Sequence, residues 1–168
     1  MRHPFALTSM FVAASLCAAS ALAAPREGAA RLDGLSEVPA VSTPASGSLR
    51  LRFQDGVISY RLDYRGVASG VTQAHIHFGL PGTSGGISVF LCSSIDDPVT
   101  GAQDCPAGDA TVTGTITAES VIGPTTQGIA VGDFEAFLDA LAKEATYANV
   151  HSTTFPGGEI RGQIRAGR

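Results

Sequence analysis

Around Asp55-Gly56 the chain alternates apolar and polar side chains so regularly that its local structure is tightly constrained. Leu49, Leu51 and Phe53 alternate with Arg50 and Arg52 before the pair; Ile58, Tyr60, Leu62 and Tyr64 alternate with Ser59, Arg61, Asp63 and Arg65 after it. A period of two is the period of a strand with one buried face, and Asp-Gly suits the tight turns that join antiparallel strands. A β-hairpin follows. Further runs with strand character occupy 73–78, 87–92, 111–117, 147–152 and 159–165, punctuated by Gly66, Gly70, Gly79, Gly82, Gly85, Gly86, Gly157 and Gly158. Segment 32–47, with Pro39 and Pro44, reads as extended and partly irregular. One helix interrupts the strands. Phe134, Phe137, Leu138 and Leu141 recur at i, i+3, i+4 and i+7, with Asp133 placed as N-cap. The pattern predicts an all-β fold, an antiparallel Greek-key β-sandwich or barrel with one short helix.

The N-terminus has the features of a signal peptide. Arg2 and His3 precede an apolar run from 6 to 22, and Ala21-Leu22-Ala23-Ala24 supplies an A-x-A cleavage pattern ahead of Pro25. Residues 1–24 are therefore expected to be removed, leaving 25–168 as one exported domain, periplasmic or extracellular. Cys17 lacks the small preceding residue of a lipidation site, since Leu16 stands there. Nothing later in the chain reaches the length of a membrane span. Without Arg2, nine arginines and one lysine face 15 acidic residues, a net charge of about −5. That balance argues against nucleic acid or an anionic membrane surface as partner. Cys92 and Cys105 are an even pair in an exported chain, and a disulfide between them is expected.

Chemistry is suggested at one place. The mature part retains three histidines, in Gln73-Ala74-His75-Ile76-His77-Phe78-Gly79 and Tyr147-Ala148-Asn149-Val150-His151-Ser152. Period two puts His75 and His77 on one face of their strand, and Tyr147, Asn149 and His151 on one face of theirs. If the strands pair, three imidazoles converge. Neutral imidazole suits Cu(II), Zn(II) or Ni(II), and the ligand set disfavours calcium. Glu159 or Asp133 could complete a coordination sphere. The alternative is that the histidines hydrogen-bond backbone or one another and stiffen the fold.

Glu159, Arg161 and Gln163 share a strand face. Arg161 is open to two readings: an anion guide beside the histidines, or a structural ion pair with Glu37 or Glu159, Glu37 being the first candidate. The run Gly79-Leu80-Pro81-Gly82-Thr83-Ser84-Gly85-Gly86 lacks the Gly-Lys-Ser/Thr ending of a phosphate loop and reads as a connector. Ser84 and Ser152 lie near histidines, but no Gly-x-Ser-x-Gly elbow accompanies them.

Four stretches taken in order resemble the CHRD domain, the module named after chordin and found in bacterial secreted proteins. They are Leu32-Asp33-Gly34-Leu35-Ser36-Glu37-Val38-Pro39, Ala74-His75-Ile76-His77-Phe78-Gly79, Tyr147-Ala148-Asn149-Val150-His151-Ser152, and Phe155-Pro156-Gly157-Gly158-Glu159-Ile160-Arg161-Gly162-Gln163. The resemblance implies a β-sandwich and carries no settled activity. A fainter resemblance, to copper-zinc superoxide dismutases, rests on the His-x-His strand, Val150-His151 and Arg161. The chain lacks the fourth histidine and the zinc-ligand loop of that family, and Cys92 and Cys105 are not placed like its disulfide. The functional expectation is a non-catalytic module that holds copper or zinc at His75, His77 and His151. The alternatives are an interaction module for an unidentified protein partner, with structural histidines, and a copper redox enzyme of dismutase type.

Overall fold

The structure, a computed structural model, describes residues 26–95 and 101–167. The expected signal peptide at 1–24 lies outside the described residues. Nine strands form in chain order: β1 (Glu27–Asp33), β2 (Ser46–Gln54), β3 (Val57–Arg65), β4 (Val71–Phe78), β5 (Ile87–Ser93), β6 (Ala110–Ile116), β7 (Thr146–Ser152), β8 (Ile160–Gln163) and β9 (Arg165–Gly167). Helix α1 (Phe134–Ala142) lies between β6 and β7, after two short 3₁₀ turns. Every strand pairing is antiparallel, and the order across the sheet is β5-β4-β7-β8-β1-β2-β3-β6, with β9 beside β1.

The β2–β3 hairpin forms as the alternation predicts. Gln54 pairs with Val57, and the two turn residues, Asp55 and Gly56, have φ of 52° and 81°. Positive φ at both central positions twists the turn in the sense that its flanking strands need. Leu49, Leu51, Ile58, Tyr60, Leu62 and Tyr64 are buried, and the intervening arginines are exposed. Segment 34–45 is irregular as expected, but its flanks belong to strands. β1 begins well before Leu32 and buries Gly28, Ala30 and Leu32 in alternation with exposed Glu27, Ala29, Arg31 and Asp33.

The sheet curls until its end strands, β5 and β6, face each other as a nearly closed barrel. The core fills it with Leu49, Leu62, Ile76, Val89, Leu91, Ile116, Val150, Ile160 and Ile164. Helix α1 adds Phe137, Leu138 and Leu141 to that core, and the Asp133 carboxylate accepts the Ala136 amide as an N-cap. Side chains bridge the β5–β6 seam. Tyr60 Oη on β3 donates to the Leu91 carbonyl (2.7 Å), and Gln103 donates to Tyr60 Oη and to the Thr113 carbonyl. The Cys92–Cys105 disulfide ties β5 to the segment leading into β6, with Cα atoms 5.0 Å apart. Among the described residues, no helix is long and apolar enough to cross a membrane.

Candidate metal centre

Strands β4 and β7 lie side by side, and their register builds the site. His75 pairs with Asn149, His77 with Tyr147, and Gln73 with His151. The polar faces of the two strands thus form one patch, while Ala74, Ile76, Ala148 and Val150 enter the core behind it. The ring centroids of His75 and His151 are 4.8 Å apart, those of His75 and His77 5.3 Å, and those of His77 and His151 6.4 Å. One ring nitrogen from each lies within 4.8 Å of the others. His75 and His77 are buried and His151 partly so.

Two connecting loops orient the rings. His77 Nδ1 lies 2.9 Å from the Gly85 carbonyl oxygen, and His151 Nδ1 lies 2.9 Å from that of Pro156. A carbonyl only accepts, so each Nδ1 carries the proton and each Nε2 keeps a free lone pair. Both Nε2 atoms point at Asn149 Oδ1, at 3.0 Å from His77 and 2.8 Å from His151. His75 Nδ1 faces His151 Nε2 at 3.1 Å, while His75 Nε2 is buried without a hydrogen-bond partner. Phe90 stands perpendicular to the His75 ring, with centroids 4.4 Å apart. Burial, the largest cause, and the neighbouring imidazoles push His75 down to about 2. Burial also brings His77 down to about 4 and lowers His151. All three rings are therefore neutral near pH 7, the state in which imidazole binds metals.

A stacked column flanks the cluster. The Tyr147 ring lies parallel to His77, with centroids 4.7 Å apart, and the Arg161 guanidinium carbon sits 3.4 Å from the Tyr147 centroid. Arg161 also donates to the carbonyls of Thr83 (2.7 Å) and Leu80 (3.3 Å). Gln163 holds the Gly79 carbonyl, and Tyr147 Oη accepts the Gly85 amide. The glycine-rich connector 79–86 is thus fastened to β7 and β8, and this presents the Gly85 carbonyl to His77.

The ion pair expected between Arg161 and Glu37 or Glu159 does not form. Among the described residues, no carboxylate lies within ion-pair distance of Arg161. Carbonyls of 79–86 and the Tyr147 face occupy the guanidinium instead. Glu37 accepts from Asn149 Nδ2 at 3.4 Å; burial raises its pKa, opposed by that hydrogen bond, by the Val38 amide and by the field of Arg161. Glu159, fully buried, accepts Thr43 Oγ1 (2.7 Å) and the Ala68 amide (2.9 Å). Neither Glu159 nor Asp133 joins the histidines: the first pins two loops, and the second caps α1. The alternation of 147–152 brought Tyr147 and Asn149 to the histidine face, but the sequence carries no signal for the carbonyls of Gly85 and Pro156.

No curated protein matches the chain. A model of the CHRD domain matches residues 29–164, a span that contains both histidine segments and every strand except the first two residues of β1 and the whole of β9. By that match over nearly its whole length, the chain belongs to the CHRD-domain family.

Proposed function

We propose that the chain is an exported, non-catalytic CHRD module that holds one transition-metal ion, copper or zinc, at His75, His77 and His151. The observation that carries this reading is the pair of Nδ1–carbonyl contacts, which turn the bare Nε2 atoms of His77 and His151 toward one point at Asn149 Oδ1, with His75 Nδ1 3.1 Å from the His151 nitrogen. Metal-ligating histidines typically anchor their second nitrogen on an oxygen in this way, which fixes tautomer and ring orientation together. His75 lacks such an anchor, since its Nδ1 faces His151 Nε2 and its Nε2 is buried without a partner. Bound metal would supply a cross-link between β4 and β7. No catalytic step is assigned to it.

Mature protein purified without a histidine tag should take up about one equivalent of Zn(II) or Cu(II) per chain, by elemental analysis and calorimetry, as expected for three imidazoles around one ion. His77→Ala should reduce uptake at least tenfold, the scale of a lost ligand or a lost ligand support, and keep the β-sheet circular dichroism. If wild type takes up no more metal than a variant lacking all three histidines, the metal reading fails and the interaction-module reading replaces it. For export, sequencing of the secreted or periplasmic protein should find a new N-terminus at Pro25.

A further inference from the structure

Resting on that metal-binding reading, we infer that Asn149 Oδ1 is a fourth ligand and that Glu37 positions it, which makes the centre a closed site of three nitrogens and one oxygen. The argument begins from protons. His77 Nε2 and His151 Nε2 are lone pairs because their Nδ1 protons go to carbonyls. Asn149 Oδ1, itself an acceptor, lies 3.0 and 2.8 Å from them. Each of these nitrogens therefore meets Asn149 Oδ1 lone pair to lone pair, a contact that a cation would relieve.

Rotating the carboxamide would put Nδ2 toward the histidines, and Glu37 opposes that rotation. Asn149 Nδ2 donates to Glu37 Oε1 at 3.4 Å; with Glu37 ionised, the flipped amide would set its oxygen against the carboxylate. The backbone leaves room for this contact at one residue. Gly158 has φ of +123°, and a Cβ there would lie 2.5 Å from Glu37 Oε1 and 2.7 Å from Asn149 Nδ2. Glycine removes that obstruction and adopts the backbone angle at no steric cost.

Spacing places Asn149 Oδ1 beside two of the nitrogens, while the widest pair in the histidine group, at 4.8 Å, would have to close on an ion. Atoms bound to one ion at zinc–nitrogen or zinc–oxygen lengths, between right-angle and tetrahedral geometry, stand about 2.8–3.4 Å apart. The contacts of Asn149 Oδ1 with the two Nε2 atoms, at 2.8 and 3.0 Å, and that of His75 Nδ1 with His151 Nε2, at 3.1 Å, fall in this window. An amide oxygen in the fourth position takes the place that a catalytic zinc site keeps for water or substrate. A hard oxygen in the set also favours Zn(II) and Cu(II) over Cu(I).

The test is a Zn(II) titration of the mature protein labelled with ¹³C and ¹⁵N, with affinity measured by chelator competition. The Asn149 carboxamide carbon should shift on saturation while its NH₂ group stays hydrogen-bonded. Asn149→Ala should weaken binding by about tenfold or more, and Asn149→Asp combined with Glu37→Gln, which keeps an oxygen toward the histidines and restores a hydrogen bond between the two side chains, should recover most of that loss. Glu37→Ala should weaken binding, with rescue by Glu37→Gln, which keeps an acceptor. Zinc uptake by wild type with unmoved Asn149 resonances, or an Asn149→Ala affinity within twofold of wild type, overturns the fourth ligand and leaves the three-histidine site standing. Wild type that takes up no zinc overturns both readings. Should Asn149→Ala not fold, as judged by its metal-free melting curve, the wild-type resonances decide.

Discussion

Burial holds the three imidazoles neutral, and this sets the acid response of the metal-free protein. An unfolded histidine takes up a proton near pH 6.5, whereas folded His77 resists until about 4 and His75 until about 2. Below about 6.5 the unfolded chain binds protons that the folded chain refuses, so stability is complete above that pH and is lost as pH falls towards the folded values. Glu37, raised by burial, works in the opposite direction, but as one group against three. Urea unfolding of the metal-free protein should show a lower midpoint at pH 5 than at pH 7, the loss being at most about 1.4 kcal/mol per histidine per pH unit. Equal midpoints at the two pH values would mean that the rings titrate as exposed groups. Strand periodicity made the shared face of His75, His77 and His151 legible in the sequence. The role of Asn149 was not, because it depends on tautomers, and these are fixed by the carbonyls of Gly85 and Pro156 on distant loops. Arg161 was misjudged for a related reason. Its type announces a need for acceptors, but the backbone of 79–86 meets that need without a carboxylate.

At the scale of elements, alternation was a reliable guide wherever large apolar side chains occupied the inner face. The β2–β3 hairpin, β4, β5, β7 and α1 fall within a few residues of their expected bounds. β1 was missed because its inward positions are Gly28, Ala30 and Leu32, two of them too small to register as an apolar face. Its central place in the sheet explains those small residues: a Cβ at Gly28 would stand 3.3 Å from Ile164. The outer face of the hairpin carries an unfavourable pairing. Arg50 lies directly opposite Arg61, which pairs with Asp63; Arg50 makes no ion-pair contact among the described residues and reaches Asp63 only through its field, which offsets part of the repulsion. Like charges opposite each other on one sheet face cost stability. Arg50→Thr should therefore raise stability by about 0.2–1 kcal/mol at low salt. The gain should shrink as salt screens the repulsion, a comparison that two thermal melts can make. Destabilisation at low salt would mean that packing of the arginine stem outweighs its charge.

For the whole molecule, the decisive feature is that the sheet nearly closes without joining its ends by a strand ladder. The fold class was legible from strand count and turn spacing; the closure was not, because it depends on Tyr60, Gln103 and Cys105 reaching across a seam that no local pattern marks. Reducing Cys92–Cys105 should lower the stability of the protein by roughly 3 kcal/mol, the chain-entropy value for a loop of this size, readable as a drop in denaturation midpoint with and without reductant. The seam also bears on self-association. A strand at the end of a sheet offers unpaired amides and carbonyls to any similar strand it meets. Here β5 and β6 are both end strands, and the β5 edge is covered by the disulfide, by side-chain hydrogen bonds and by backbone bonds from Ser93 to Gln103 and from Ile122 to Ser88. For another strand to add at the β5 edge, the bridge and these backbone hydrogen bonds would all have to give way.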